Sequence, residues 1–63
     1  MYRIKEIRES KGISISELSR MTGLSRTTIY GLENGIYSDS TTKTLLKLAH
    51  ALGVKVGDLF SHD

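Results

Sequence analysis

The sequence predicts an all-α domain, because glycines divide it into pieces of helical length and each piece carries apolar residues at helical spacing. The chain has 63 residues, which is the length of one small domain. It contains no proline and no cysteine, so glycine is its main helix-ending residue and no disulfide can stabilise the fold. Neither β-alternation nor an internal repeat is present. Residues 1–63 are therefore expected to form a single compact domain of five short helices.

The first helix is predicted to end before Gly12. One of its faces repeats at i, i+3, i+4 and i+7 and consists of Ile4, Ile7, Arg8 and Lys11. Glycine is common directly after a helix, and a lysine is favourable near the negative end of the helix dipole.

The second helix is predicted to begin after Ser14 and to end at Gly23. Ser14 and Glu17 have the spacing of a capping box, in which each residue satisfies a backbone N–H of the other. The face that this helix turns towards the core is expected to hold Ile15, Leu18, Ser19 and Thr22.

The third helix is predicted to lie between Ser25, its N-cap, and Gly35. When Ile29 and Leu32 face the core, the outward stripe holds Thr27, Tyr30, Gly31 and Asn34, and Arg26 flanks its N-terminal tip. Several of these residues are mediocre helix formers, and the face lacks the Glu–Lys pairs of an ordinary solvated helix. Taken by itself, this face is equally compatible with contact with another molecule and with a merely solvated helix surface.

The fourth helix is predicted from about Thr41 to Leu52, with Gly53 after its end. Its apolar stripe consists of Leu45, Leu48, Ala49 and Leu52. A fifth, short helical turn at Gly57–Phe60 is expected to close the core with Val56, Leu59 and Phe60.

Several classes of function are excluded by composition. His50 and His62 have no carboxylate cluster between them, so no metal site is expected. Ser16 and Ser19 have no histidine nearby and no phosphate-binding loop occurs, so the chain is not expected to be an enzyme or to bind a cofactor or small-molecule ligand. The charged N-terminal region lacks a signal peptide and no segment has transmembrane length, so the sequence predicts a cytoplasmic protein without membrane association.

Charge distribution permits a polyanionic partner. The formal net charge is only +2, but six of the nine basic residues and four of the seven acidic residues precede Ile36. The surplus of positive charge therefore lies in the half of the chain that contains the third helix.

Two long segments resemble one known family. GISISELSRMTGLSRTTIYGLENG and TLLKLAHALGVKVGDLF are similar to the phage repressor/Cro-like helix-turn-helix family, also called the XRE family. The resemblance covers about residues 4–60. It implies a five-helix, lambda-repressor-like DNA-binding domain with helices 2 and 3 as the helix-turn-helix. It also implies a double-stranded DNA operator as partner, a homodimer on a near-palindromic operator, and a role as a transcriptional repressor.

The resemblance also implies roles for individual residues. The third helix would enter the major groove, where Arg26 can bind a guanine edge bidentately and Thr27 and Tyr30 can contact base edges or a thymine methyl group. Contacts to the DNA backbone are expected around the rim of this surface, from Ser14, Ser16, Arg20, Ser25, Thr28, Asn34 and Tyr37. For Arg20, a phosphate contact and a merely solvated charge remain equal alternatives.

Two further groups of residues have expected structural roles. Arg8 and Glu33 are charges on partly buried faces, and the resemblance places an ion pair at these two positions. We interpret the pair as structural rather than functional. The candidates for dimerisation are Val56, Gly57 and Asp58.

The sequence departs from the family pattern at several positions. Ile15 replaces a glutamine that braces a phosphate, and Gly31 stands where relatives often carry a base-reading side chain. Asp39 lies in a loop that is often basic, and Thr42 replaces a core leucine. Lys55 replaces an N-cap serine. These departures predict modest affinity and a shallow salt dependence.

A second class of function stays open on the sequence alone. The weakly basic loop and the apolar ALGVKVGDLF segment also favour, to a small extent, a protein-binding adaptor, or an antitoxin-like module, that binds DNA only weakly. A monomer that binds a protein and no duplex would favour this alternative.

Overall fold

Four α-helices and one 3-10 helix follow one another in the structure, a computed structural model that describes residues 2–36 and 41–60. The helices are α1 (Ile4–Ser10), α2 (Ile15–Thr22), α3 (Arg26–Glu33), α4 (Thr42–Leu52) and the 3-10 helix (Val56–Leu59). The prediction of an all-α domain is confirmed. The predicted count of five short helices is wrong, because the fifth segment forms a single 3-10 turn rather than an α-helix.

Side chains cap the starts of three helices, as expected for serine and threonine at these positions. Ser14, Ser25 and Thr41 each accept a hydrogen bond from the backbone N–H three residues later. At the 3-10 helix Lys55 supplies no side-chain cap, and the Asp58 carboxylate instead accepts a hydrogen bond of 3.0 Å from the Lys55 N–H. The start of the 3-10 helix is therefore held by a side chain that belongs to the helix itself.

The core lies between the four helices and the 3-10 turn. α2 packs against α3 and α4, α1 packs against the same two helices, and the 3-10 helix packs on α4. Among the described residues the buried apolar side chains are Ile4, Ile7, Leu18, Ile29, Leu32, Leu45, Leu48, Ala49, Leu52 and Leu59. Leu59 is fully buried as expected, whereas Phe60 is 40% exposed and does not close the core.

The turn between α2 and α3 is fixed by a small set of hydrogen bonds. Gly23 adopts a φ of +76°, which favours glycine because a side chain is strained there. The Ser19 hydroxyl donates to the Leu24 carbonyl at 2.6 Å. The Thr22 hydroxyl donates to the Leu18 carbonyl at 2.7 Å and accepts from the Leu24 N–H at 3.2 Å. These bonds fix the direction in which α3 leaves α2.

A buried ion pair joins α1 to the end of α3. Arg8 Nε donates to Glu33 Oε2 at 2.8 Å, and the second terminal nitrogen donates to Oε1 at 3.2 Å. The remaining terminal nitrogen donates to the Ile13 carbonyl at 2.9 Å. The hydrogen bonds with Glu33 are the main cause that raises the pKa of the Arg8 guanidinium, although burial opposes this effect. Arg8 is thus held as a cation on the core side of the domain.

Loss of one partner of this pair should be severe. Arg8→Ala leaves the Glu33 carboxylate buried without its counter-ion, so we expect the free energy of unfolding in urea to fall by about 3–5 kcal/mol. Lys5→Ala, at an exposed position of the same helix, is the control and should change it by less than about 0.5 kcal/mol. The double variant Arg8→Met/Glu33→Leu should recover most of the loss because no buried charge remains. An equal effect of Arg8→Ala and Lys5→Ala would contradict a structural role.

Candidate nucleic-acid interface

The outward face of α3 presents three large or polar side chains to solvent. Arg26 and Thr27 are exposed at its first turn, and Tyr30 is 55% exposed one turn later. Tyr30 follows Thr27 by three positions and Arg26 by four, so it lies on the same side of the helix as both. The opposite face of α3 carries the buried residues Ile29 and Leu32. α3 is thus packed on one side and exposes polar groups on the other.

Within the described ranges, the polar side-chain groups of Arg26, Thr27 and Tyr30 have no hydrogen-bond partner in the protein. The Arg26 guanidinium also forms no ion pair there. A guanidinium, a threonine hydroxyl and a phenol together offer several donors and two acceptors. These groups are free to contact an external ligand.

The predicted DNA-backbone residues Ser14, Ser25 and Thr28 differ, because their hydroxyls already take part in capping. Ser14 Oγ accepts from the Glu17 N–H at 3.0 Å, and Ser25 Oγ accepts from the Thr28 N–H at 3.1 Å. The Ser25 and Thr28 hydroxyls are also 2.9 Å apart and share one hydrogen bond. An accepting hydroxyl keeps its own proton, so Ser14 and one member of the Ser25–Thr28 pair can still donate to an anion.

The other predicted DNA-backbone residues have varied surroundings. The Asn34 amide donates to the Tyr30 carbonyl at 2.8 Å, so it is engaged in ending α3. Ser16 and Arg20 are exposed on α2, and the Arg20 charge contributes to lowering the pKa of Glu17. Tyr37 lies outside the described residues, as do Asp39 and His62.

The structure differs from the predicted outward stripe of α3 at Gly31. The structure buries Gly31 together with Leu32 and Glu33, so the second half of α3 is enclosed on more sides than the first half. Placing Gly31 on the exposed stripe was therefore wrong. The exposed face of α3 consists of Thr27 and Tyr30, with Arg26 beside them.

A shallow concavity lies beside this face and includes a residue whose contribution the sequence did not indicate. Ile15, the first residue of α2, lines it together with Arg26, Thr27 and Tyr30. Ile15 was expected on the core face of α2, but it is only half-buried and, among the described residues, is not one of those that pack on the core. Ile15 directly follows the N-cap and lies at the edge of the helix pair, and this position in the sequence could have indicated that it does not face the core.

The three dimerisation candidates lie together on the 3-10 helix. Gly57 and Asp58 are exposed and Val56 is half-buried against the core. A Cβ atom added at Gly57 would meet no atom within 4 Å. The Asp58 carboxylate is engaged with the Lys55 N–H, so its first role is local.

Two properties of the described residues bear on other kinds of site. They contain no cluster of histidine and carboxylate side chains that could hold a metal ion. None of their helices has both the length and the apolar character needed to cross a membrane.

A helix pair joined by a glycine turn, with free polar groups on the second helix, defines a class of domain. A family model described as helix-turn-helix matches residues 4–59, and the chain belongs to this family. It is a helix-turn-helix domain of the kind found in DNA-binding transcriptional regulators, which are not enzymes. The predictions of the family and of a non-enzymatic domain are confirmed.

Individual relatives support this membership. An uncharacterized HTH-type transcriptional regulator of Archaeoglobus fulgidus is 38% identical over 61 residues, covering 97% of this chain and 84% of the relative. Another from Methanocaldococcus jannaschii is 33% identical over 61 residues, covering 97% of this chain and 91% of the relative. A longer HTH-type transcriptional regulatory protein of Archaeoglobus fulgidus is 37% identical over 51 residues, which are 81% of this chain but only 16% of that protein.

Two solved structures are similar in fold. The restriction-modification controller protein C.AhdI from Aeromonas hydrophila has a TM-score of 0.85 and 36% identity, covering 92% of this chain and 86% of that one. The N-terminal DNA-binding domain of SinR from Bacillus subtilis has a TM-score of 0.87 and 30% identity, covering 97% and 91%.

The capping box at the start of α2 should make stability depend on pH. The pKa of the Glu17 carboxyl is lowered in the folded domain. The larger cause is a hydrogen bond of 3.1 Å from the Ser14 N–H, and the smaller is the interaction with the Ser14 hydroxyl. A carboxyl with a lowered folded pKa stabilises the fold above its unfolded pKa and loses that contribution as the pH falls through the folded pKa. Glu17→Gln should therefore flatten the acid limb of a plot of unfolding free energy against pH. An NMR titration midpoint for Glu17 at or above that of an unstructured peptide would contradict this account.

Proposed function

We propose that the domain is a sequence-specific regulator of transcription that binds double-stranded DNA with α3 in the major groove. In this proposal Arg26, Thr27 and Tyr30 contact base edges. The contacts around them, from Ser14, Ser16, Arg20, Ser25, Thr28, Asn34 and Tyr37, fix the register on the phosphates.

The observation that carries the proposal is the set of unpartnered polar groups on the first half of α3. Surface helices commonly use such groups in local pairs, yet those of Arg26, Thr27 and Tyr30 have no partner within the described residues. A guanidinium matches the O6 and N7 atoms of guanine, and a threonine can meet either a base edge or a methyl group. The DNA-binding function named for the SinR domain and the controller function named for C.AhdI support the same assignment.

The proposal includes a homodimer that acts as a repressor in the cytoplasm on a near-palindromic operator. Two copies related by a twofold axis would place their α3 helices about 34 Å apart, which is one turn of DNA. Val56, Gly57 and Asp58 are the proposed contacts between the copies. The exposed Gly57 and the open space around it allow a second chain to approach closely.

Selection of binding sites from a random duplex pool, with affinity then measured against salt, tests this function. We expect one enriched motif with two inverted half-sites about 10 base pairs apart. The logarithm of affinity should fall with the logarithm of salt concentration by about 0.9 for each phosphate neutralised. A protein that retains no duplex even in dilute buffer would instead be the protein-binding adaptor of the alternative interpretation.

Arg26→Ala should relax sequence preference at one base pair of each half-site. The loss of a bidentate contact is expected to cost about 1–3 kcal/mol on the selected site and little on other sequences. Lys47→Ala, which removes an equal charge from an exposed position of α4, is the matched control and should keep the preference. If selection with Arg26→Ala returned the unchanged motif, Arg26 would not read a base.

Gly57→Glu should separate dimer contacts from DNA contacts. The open space around Gly57 allows the side chain without disturbing the fold, while a charge at the proposed contact between copies disfavours their association. We expect binding to the two-half-site duplex to weaken about tenfold or more, about 1.4 kcal/mol or more, while binding to a single half-site is unchanged. If the Gly57→Glu variant and the unaltered protein bound the duplex with two half-sites equally well, the dimer contact would lie elsewhere.

A further inference from the structure

The concavity formed by Ile15, Arg26, Thr27 and Tyr30 has a composition that ordinary packing does not explain. It lies where the first residue of α2 meets the exposed face of α3. Its lining is mainly apolar, and the residues that form it can supply an isoleucine side chain, a threonine methyl group, a tyrosine ring and arginine methylene groups. Among residues 2–36 and 41–60, no acidic side chain lines it. It is therefore an apolar hollow bordered by a cation and two hydroxyl groups.

Ile15 is the residue in this hollow that most needs an explanation. It is half-buried at the start of α2 and, within the described part of the chain, does not belong to the group of apolar residues that pack on the core. The Ser14 cap and the capping box with Glu17 hold the backbone at this point, so the position of Ile15 is fixed. A fixed isoleucine outside the core presents apolar surface to whatever contacts α3.

We propose that this hollow binds the 5-methyl group of a pyrimidine in the major groove, which makes Ile15 a specificity-determining residue outside the recognition helix. The inference rests on the proposed function and adds to it an apolar contact from α2. The 5-methyl group is the apolar group that base pairs display in the major groove. The positive charge of Arg26 at the border suits the polyanion that carries this group, and a backbone fixed at Ser14 lets the hollow discriminate by shape.

Two bases carry the same methyl group, and their chemistry is shared. Thymine has it in ordinary DNA, and 5-methylcytosine has it in modified DNA. A hollow of this kind recognises the methyl group and not the base that bears it, whereas the neighbouring hydrogen bonds from Arg26 and Thr27 depend on the base.

A methyl-deletion scan on the unaltered protein is the first arm of the test. Each thymine of the duplex selected from the random pool is replaced singly by uracil, which removes only the 5-methyl group. We expect one position in each half-site at which the dissociation constant rises about four-fold. This factor corresponds to ~0.8 kcal/mol for one buried carbon group. Replacement of thymine at the other positions should have smaller effects.

The second arm adds the methyl group to cytosine. At the position found in the scan, duplexes with cytosine and with 5-methylcytosine are compared, so that only the methyl group differs. An affinity gain of about four-fold on methylation means that the hollow accepts either source. A gain confined to thymine over uracil restricts the contact to thymine and leaves the role of Ile15 in place.

Variants assign the methyl contact to Ile15. Ile15→Ala shortens one wall outside the core, so the difference between thymine and uracil at the identified position should fall to less than about two-fold. Leu46→Ala is the matched control, because Leu46 is an exposed apolar residue (53% exposed) on α4 that does not line the hollow. It should leave the four-fold difference intact. The thermodynamic cycle of protein variant and methyl deletion isolates the pairwise contact.

The outcomes separate this inference from the function on which it rests. A duplex that binds tightly but shows no sensitive thymine or 5-methylcytosine position overturns the inference and leaves the proposed function standing. A methyl effect that persists unchanged in Ile15→Ala also overturns it, since another residue then reads the methyl group. Failure to retain any duplex overturns the proposed function itself.

Discussion

The arrangement of the domain depends on one guanidinium group. Arg8 binds the Glu33 carboxylate at the end of α3 and, with another of its nitrogens, the Ile13 carbonyl just before α2. Both helices of the helix-turn-helix are thus tied to α1 by the same side chain, one at its C-terminal end and the other ahead of its N-terminal end. Because none of the described buried polar side-chain atoms lacks a partner, this charge is accommodated in the interior. Together with the hydrogen bonds of the turn between α2 and α3, these contacts hold α3, and with it the proposed DNA contact, in place.

Serine and threonine residues have two different roles in this domain. Ser14, Ser25 and Thr41 begin helices, and Ser19 and Thr22 hold the turn between α2 and α3. Thr27 has the same chemistry, yet its hydroxyl has no hydrogen-bond partner among the described residues. Local hydrogen bonds thus define the ends of the helices, whereas the Thr27 hydroxyl on the exposed face of α3 remains available to a ligand.

Local features of the sequence predicted most of the fold, whereas features that depend on packing between distant elements escaped it. The periodicity of leucine and isoleucine indicated the four α-helices, with serine caps at the starts of α2 and α3 and with Gly23 and Gly53 at two of the helix ends. The fifth segment was predicted as a further helix because the i, i+3 spacing of Val56 and Leu59 fits one 3-10 turn as well as an α-helix. The burial of Gly31 and the exposure of Phe60 depend on how the elements pack together, which a helical period does not contain. The location of Ile15 beside α3 likewise depends on how α2 and α3 cross, which the sequence pattern does not contain.

The contact between Tyr2 and Phe60 affects how such a domain can be connected to other polypeptides. The two residues form an isolated antiparallel bridge, and their rings lie 5.4 Å apart, so the backbone enters and leaves at neighbouring points. A module with adjacent entry and exit can be grafted into a surface loop of a host protein, or joined through a linker on either side, without stretching. Because Tyr2 and Phe60 are adjacent, the domain has the geometry needed for insertion at a single point of another protein.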